Sequence, residues 1–180
     1  RQCMDHQGWH GRGYLPHLDQ PGLTQFVTFR LADAGQLAGA RLPPQHEVEW
    51  QRMDDELDLG QGRCHLKDPR HADLVVEALR CFDGVRYRLR AWVVMPNHVH
   101  VLMDQVRGHP LGQVVGSWKS WAARNINAAA TKARGRFDII HGFLQKSGAK
   151  FEDMQLEARR LESFASDELV DAFRKAGNKM

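Results

Sequence analysis

Residues Tyr87 to Asp104 read YRLRAWVVMPNHVHVLMD and constrain the fold more than any other stretch. Two apolar runs of strand length flank Met95-Pro96-Asn97, and the tight Pro96-Asn97 link predicts that they pair as hairpin neighbours. Successive side chains on a strand point to opposite faces. His98 and His100 therefore share a face, with their bases roughly 6.5 to 7 Å apart, and Val99 points the other way, into a core. Two imidazoles so placed can converge on one metal ion. Asp104 lies on the same face, further along the strand. Two histidines with a few oxygen ligands suit a hard or borderline divalent ion, Mg²⁺ or Mn²⁺, carried on phosphate oxygens. Such an ion polarises a phosphodiester, so phosphoryl chemistry is expected rather than hydride or acyl transfer. On spacing alone, such a pair is more often a structural or exposed polar strand face than a metal site.

Residues 1–22 hold Gly8, Gly11, Gly13, Pro16, Pro21 and Gly22, which is loop chemistry, and mix in Arg12, Tyr14 and His17. A flexible arm is expected there. QFVTFRL, residues 25–31, alternates as a strand, with Val27, Phe29 and Leu31 on one face and Phe26, Thr28 and Arg30 on the other. Pro43-Pro44 opens a helix carrying Trp50, Met53 and Leu57, and Gly60-Gln61-Gly62 stops it. Asp68-Pro69 opens another, with Ala72, Val75, Val76 and Leu79 as its apolar stripe. Leu111, Val114, Val115, Trp118, Ala122 and Ile126 predict a long amphipathic helix with Lys119 and Arg124 facing outward. Lys132, Arg134 and Arg136 follow as a basic cluster. A last helix is expected from Ser166, an N-cap backed by Asp167 and Glu168. Trp50, Trp92, Trp118 and Trp121 are read as core rather than as stacking platforms.

At 180 residues the chain fits one domain of ordinary size, and its net charge of +3 is compatible with a nucleic-acid partner. Charge is unevenly spread: residues 137–180 hold 7 Lys and Arg against 8 Asp and Glu, so the excess of cations lies upstream. Three cysteines (Cys3, Cys64 and Cys81) without a CxxC pair argue against a disulfide scaffold or a thiolate zinc site, and Cys64 and Cys81 are read as buried or inert thiols. No run approaches 18 apolar residues and no basic-then-apolar leader is present, so a soluble, unexported, cytoplasmic protein without a membrane partner is expected. The first residue, Arg1, leaves open a trimmed start.

AWVVMPNHVHVLM resembles the signature of the HUH endonucleases (His, bulky hydrophobe, His). More closely, the chain resembles the REP-associated tyrosine transposases, of the single-tyrosine HUH transposase family. GRGYLPH at 11–17 and TQFVTFRLAD at 24–33 resemble that family's arm and first strand. GQGRCHLKDPRHADLVVEAL at 60–79 resembles its second helix region, and SWKSWAARNIN at 117–127 the helix after the HUH strand. The resemblance spans roughly residues 11–137. It implies an α+β fold, a central antiparallel sheet with helices packed on it, in an HUH endonuclease-like, ferredoxin-like arrangement. It further implies a DNA-binding arm over residues 1–22, the HUH domain over 23–136 and a divergent helical tail over 137–180. The implied activity is DNA transposition, the cutting and rejoining of single-stranded DNA beside hairpins in the nucleoid, by a monomer or homodimer. By motif, His98 and His100 would be the catalytic metal ligands for Mg²⁺ or Mn²⁺. Arg12, Tyr14 and His17 would lie near the hairpin foot. Read instead as a DNA-binding module that kept the fold and lost the chemistry, the chain would contact phosphate through Arg12, Arg30, Lys119, Arg124, Lys132, Arg134 and Arg136, with Tyr14 stacking on an unpaired base.

The family attacks the phosphate with a tyrosine on a C-terminal helix, and here the likeness stops. After Gly135-Arg136-Phe137 the family continues with Trp-Gln and then Tyr-Phe-Asp-Arg. This chain reads DIIHGFLQKSG and, without a gap, places Gly142 where the tyrosine belongs. Its two tyrosines, Tyr14 and Tyr87, are poor substitutes, the first in the arm and the second on the apolar face with Val93 and Met95. The nucleophile is thus unassigned, and covalent strand transfer is expected to be lost or impaired. His141 and Gln145, four apart, could replace the metal ligand the family draws from that helix. The tail is either a genuine divergent end or a frameshifted one.

Overall fold

The computed structural model describes residues 8–10, 17–34, 55, 57–148 and 150–179. The chain divides into two compact units, Arg1–Ala123 and Arg124–Met180. The first is α+β, with an antiparallel sheet at its centre.

Two short strands precede that sheet: β1 (Gly8–His10) and β2 (His17–Asp19), paired with Trp9 opposite Leu18. The expected arm of pure loop is corrected here, and the reason is long-range. The Asp19 carboxylate is buried, accepts a hydrogen bond from the Gln105 amide, and accepts another from the Leu111 backbone N–H at 3.2 Å. Gln25 Nε2 donates to Leu18 O at 2.6 Å. Glycine and proline counts carry no trace of such partners.

The main sheet has strand order β3 (Thr24–Arg30), β5 (His98–Gln105), β4 (Tyr87–Val94), all antiparallel. Pro96-Asn97 closes the β4–β5 hairpin, with Met95 N–H donating to His98 O at 2.9 Å. Val99, Val101 and Met103 of the central strand are fully buried on one face. Onto that face pack α1 (Pro69–Arg80) and the start of α2 (Leu111–Lys146). The Tyr87 hydroxyl, fully buried, donates to Leu79 O and accepts from Trp118 Nε1, each at 2.8 Å, and the two rings meet edge to face. Phe29 lies against Trp118 from β3.

One parity expectation is corrected. The β4–β5 register slips between Leu89 and Ala91, so Arg90 is an extra, bulged residue. Below the bulge Tyr87 points inward; above it the parity flips, and Val93 points out at 53% exposure. Tyr87 and Val93 thus lie on opposite faces, although their numbers differ by an even count. Arg90 pairs with Asp104, which also accepts from Thr24 Oγ1. Those bonds, the Arg90 one first, hold the Asp104 carboxyl below its usual range.

Asp68 caps α1 as expected, its carboxylate accepting from Arg70 N at 3.0 Å, with Pro69 at the first helical position. The Arg70 side-chain hydrogen bond is the main reason that the Asp68 pKa falls from 3.8 to about 2. Because the folded value is the lower one, this stabilisation is complete above pH 3.8 and is lost as the pH falls toward 2. Asp68→Ala should cost about 1 kcal/mol at neutral pH, as N-cap removals do. In urea melts the gap between parent and variant should shrink across that acid window and close at its lower end.

The second unit is helical. It comprises the rest of α2, α3 (Met154–Phe164) and α4 (Asp167–Gly177), around a core of Ile140, Leu144, Ala158 and Val170. Asp153 and the expected Ser166 cap α3 and α4 through the backbone N–H groups of Leu156 and Leu169. Arg136 bonds the Asp167 carboxylate and the carbonyls of Glu162 and Ala165, and Lys132 reaches Asp167 at 3.0 Å. The basic cluster is thus partly neutralised within its own unit, which the linear charge count could not show. Cys81 is exposed rather than buried, and Cys64 donates its thiol hydrogen to Gly60 O.

Candidate functional site

The sheet face opposite Val99 and Val101 carries Phe26, Thr28 and Arg30 from β3, aligned with Leu102, His100 and His98 of β5. The two imidazoles converge there: His98 Nε2 and His100 Nε2 are 2.9 Å apart, and the rings stand nearly perpendicular.

The hydrogen bonds around the pair fix the His98 tautomer. Asn97 is buried, and its Nδ2 lies 2.9 Å from Leu57 O and 3.1 Å from Gln61 O. Carbonyls only accept, so Nδ2 is the donor to both and Oδ1 is the atom that faces His98 Nδ1 at 2.8 Å. An amide oxygen cannot donate, so Nδ1 carries the proton and Nε2 of the neutral ring holds a lone pair. His100 Nδ1 is 2.9 Å from Thr28 Oγ1, a hydroxyl that serves as donor or acceptor by rotation. With His98 Nε2 as the acceptor, the 2.9 Å contact makes His100 Nε2 the donor, and Thr28 then donates to His100 Nδ1. With the hydroxyl turned, Nδ1 is the protonated atom of His100 and both Nε2 atoms present lone pairs to the same point.

These groups fit a divalent cation. Two nitrogens 2.9 Å apart, each bonded to an ion at about 2.1 Å, subtend roughly a right angle, as neighbouring octahedral ligands do. Each ring also has the outer oxygen partner on its other nitrogen that metal-binding histidines use for orientation. Among the described residues, Asp58 brings a carboxylate toward the pair, with Oδ1 3.7 Å from His98 Nε2. Among the described residues, no three His, Cys, Asp or Glu side chains stand close enough together to hold an ion as they are placed.

The other expected residues are dispersed. Arg30 aligns with His98 across the β3–β5 ladder and donates to Ala34 O. Lys119, exposed on α2, sits on the helix that covers the opposite face of the sheet, so the histidines and Lys119 do not share a surface. Arg124 is exposed on α2 within the second unit. His17 pairs with His10 in the β1–β2 ladder, and Arg12 and Tyr14 lie outside the described residues. His141 stacks on Phe137 one turn earlier, ring centres 5.5 Å apart.

Four residues near the pair escaped the sequence reading. Asn97 and Thr28 orient the rings. Asp58 and Phe26 flank them, Phe26 being 63% exposed and stacked on His100 with ring centres 5.4 Å apart. Thr28 and Phe26 were legible as one strand face, but only the β3–β5 register reveals that they meet His100. No family model, curated protein or solved structure matches the chain significantly.

Proposed function

We propose that the protein binds single-stranded DNA at the foot of a hairpin, and that it is of the REP-associated tyrosine transposase kind, in an HUH-like fold. The observation that carries this reading is the convergence of two Nε2 atoms at 2.9 Å, with the His98 tautomer set by Asn97. When bound there, Mg²⁺ or Mn²⁺ supplies a positive charge that holds and polarises a DNA phosphate. The chain's own residues do the rest. His98 and His100 hold the cation. Arg30 aligns with His98 and adds positive charge to the same face. Phe26 offers an exposed ring, next to His100, on which an unpaired base stacks.

Gel shifts at several salt concentrations test the reading, using a hairpin with a single-stranded foot against a plain duplex. The hairpin should bind more tightly and Mn²⁺ should strengthen it. Phe26→Ala should weaken hairpin binding by about 1–3 kcal/mol, the worth of one base–aromatic stack. Equal affinity for any duplex would sink the proposal.

A specific observation favours a DNA-binding remnant over an active transposase. Tyr87 is fully buried, its hydroxyl is held between Leu79 O and Trp118 Nε1, and burial raises the phenol's pKa above its ordinary value. It cannot reach or attack a phosphate. Incubation with labelled hairpin DNA and Mn²⁺ should therefore yield no covalent adduct on Tyr87; an adduct mapped there would restore the transposase.

A further inference from the structure

We infer that Asp58 is the third ligand of the histidine pair, giving a two-histidine, one-carboxylate cation site. The inference rests on the cation reading above and goes beyond it, because neither the HxH motif nor the likeness to the transposases points to residue 58.

Three observations carry it. Asp58 Oδ1 already lies 3.7 Å from His98 Nε2, the atom that holds the lone pair when the ring is neutral and Nδ1 donates to Asn97. Its backbone is fixed by the same side chain that orients His98. Asn97 Nδ2 binds Leu57 O and Gln61 O, on either side of Asp58, and Gly60 N–H returns to Leu57 O at 3.0 Å. One buried amide therefore sets the His98 lone pair and pins the turn that presents the carboxylate. Finally, the Asp58 side chain is 60% exposed, so it can rotate on its fixed backbone to close the gap without breaking a packed contact. A cation shared by the carboxylate and the imidazole lone pair draws the two together.

The donor set also selects among ions. Two imidazoles favour a borderline ion over the all-oxygen environment that Mg²⁺ prefers, and the carboxylate keeps Mn²⁺ within range. The site should bind Mn²⁺ more tightly than Mg²⁺.

The test is Mn²⁺ titration of the full chain by calorimetry, and by loss of the free-ion electron paramagnetic resonance signal, without DNA. Parent, Asp58→Asn, Asp55→Asn and the His98→Ala/His100→Ala double variant are compared. Asp55 is an exposed acid on the same segment and controls for charge alone. Asp58→Asn should lose about tenfold or more in Mn²⁺ affinity, since even outer-shell partners are worth that much. Its circular dichroism and melting should match the parent, and Asp55→Asn should bind as the parent does. If Asp58→Asn binds Mn²⁺ as tightly as the parent while the double variant does not, the Asp58 assignment is overturned and the histidine site stands. A parent that binds no Mn²⁺ overturns both.

Discussion

Asn97→Ala should lose about 1–3 kcal/mol of stability, the cost of one buried group without its partner, and abolish Mn²⁺ binding. The side chain is 1% exposed and makes three hydrogen bonds, to Leu57 O, Gln61 O and His98 Nδ1. Alanine removes all three bonds. Gln61 is exposed, so water can reach its carbonyl, and Leu57 O keeps the Gly60 N–H at 3.0 Å, but His98 is fully buried. Taking the Asn97 oxygen from His98 Nδ1 therefore costs about 1–3 kcal/mol. The same deletion frees the His98 ring to adopt either tautomer and releases the turn that carries Asp58. Urea denaturation reads the stability and calorimetry the metal. The two must fall together; a variant as stable as the parent would show that the amide does not clamp strand and turn to each other.

How much of this could be read in advance depends on the range of the interaction. The hairpin at Pro96-Asn97, the shared face of His98 and His100, and the helix start at Asp68-Pro69 follow from local rules of turn, pleat and cap, and all are present. Ser166 as an N-cap belongs with them. Such features need only the residues beside them. The β4 bulge at Arg90 reversed a parity argument because nothing local marks it; Arg90 instead answers to Asp104, fourteen residues away. The β1–β2 pair was hidden for the same reason, being pinned through Asp19 to Gln105 and Leu111. In the site, periodicity paired the two histidines but could not find Thr28, Asn97's carbonyl partners or Asp58. Those reach it from separate segments, through register and a buried amide. The tail presents two caps and an apolar stripe that agree with its own core, the consistency across levels expected of a sequence that specifies a structure.

Gly62→Ala should be more damaging to stability than the loss of Asn97, at about 2–5 kcal/mol, and for two separable reasons. Gly62 has φ +89, in the left-handed region where an added side chain costs about 1–2 kcal/mol. A Cβ there would also stand 2.5 Å from Asp33 O and 3.0 Å from its carbonyl carbon, and these are backbone atoms that cannot swing aside. Such overpacking typically adds 1–3 kcal/mol, roughly. Gly84 offers the control: its φ is +77, yet nothing lies within 4 Å of the position a Cβ would take. Gly84→Ala should show the backbone cost alone, so the gap between the two variants in denaturant melts measures the clash. The function should divide in the same way. Gly62 follows Gln61, whose carbonyl holds Asn97, and precedes Arg63, whose backbone N–H binds the Asp33 carboxylate at 3.1 Å. Pushing this turn off Asp33 drags the Gln61 carbonyl from Asn97 and loosens the His98 lone pair. Mn²⁺ affinity should therefore drop in Gly62→Ala and hold in Gly84→Ala. Equal affinity in both would mean that the turn supports the fold without setting the site.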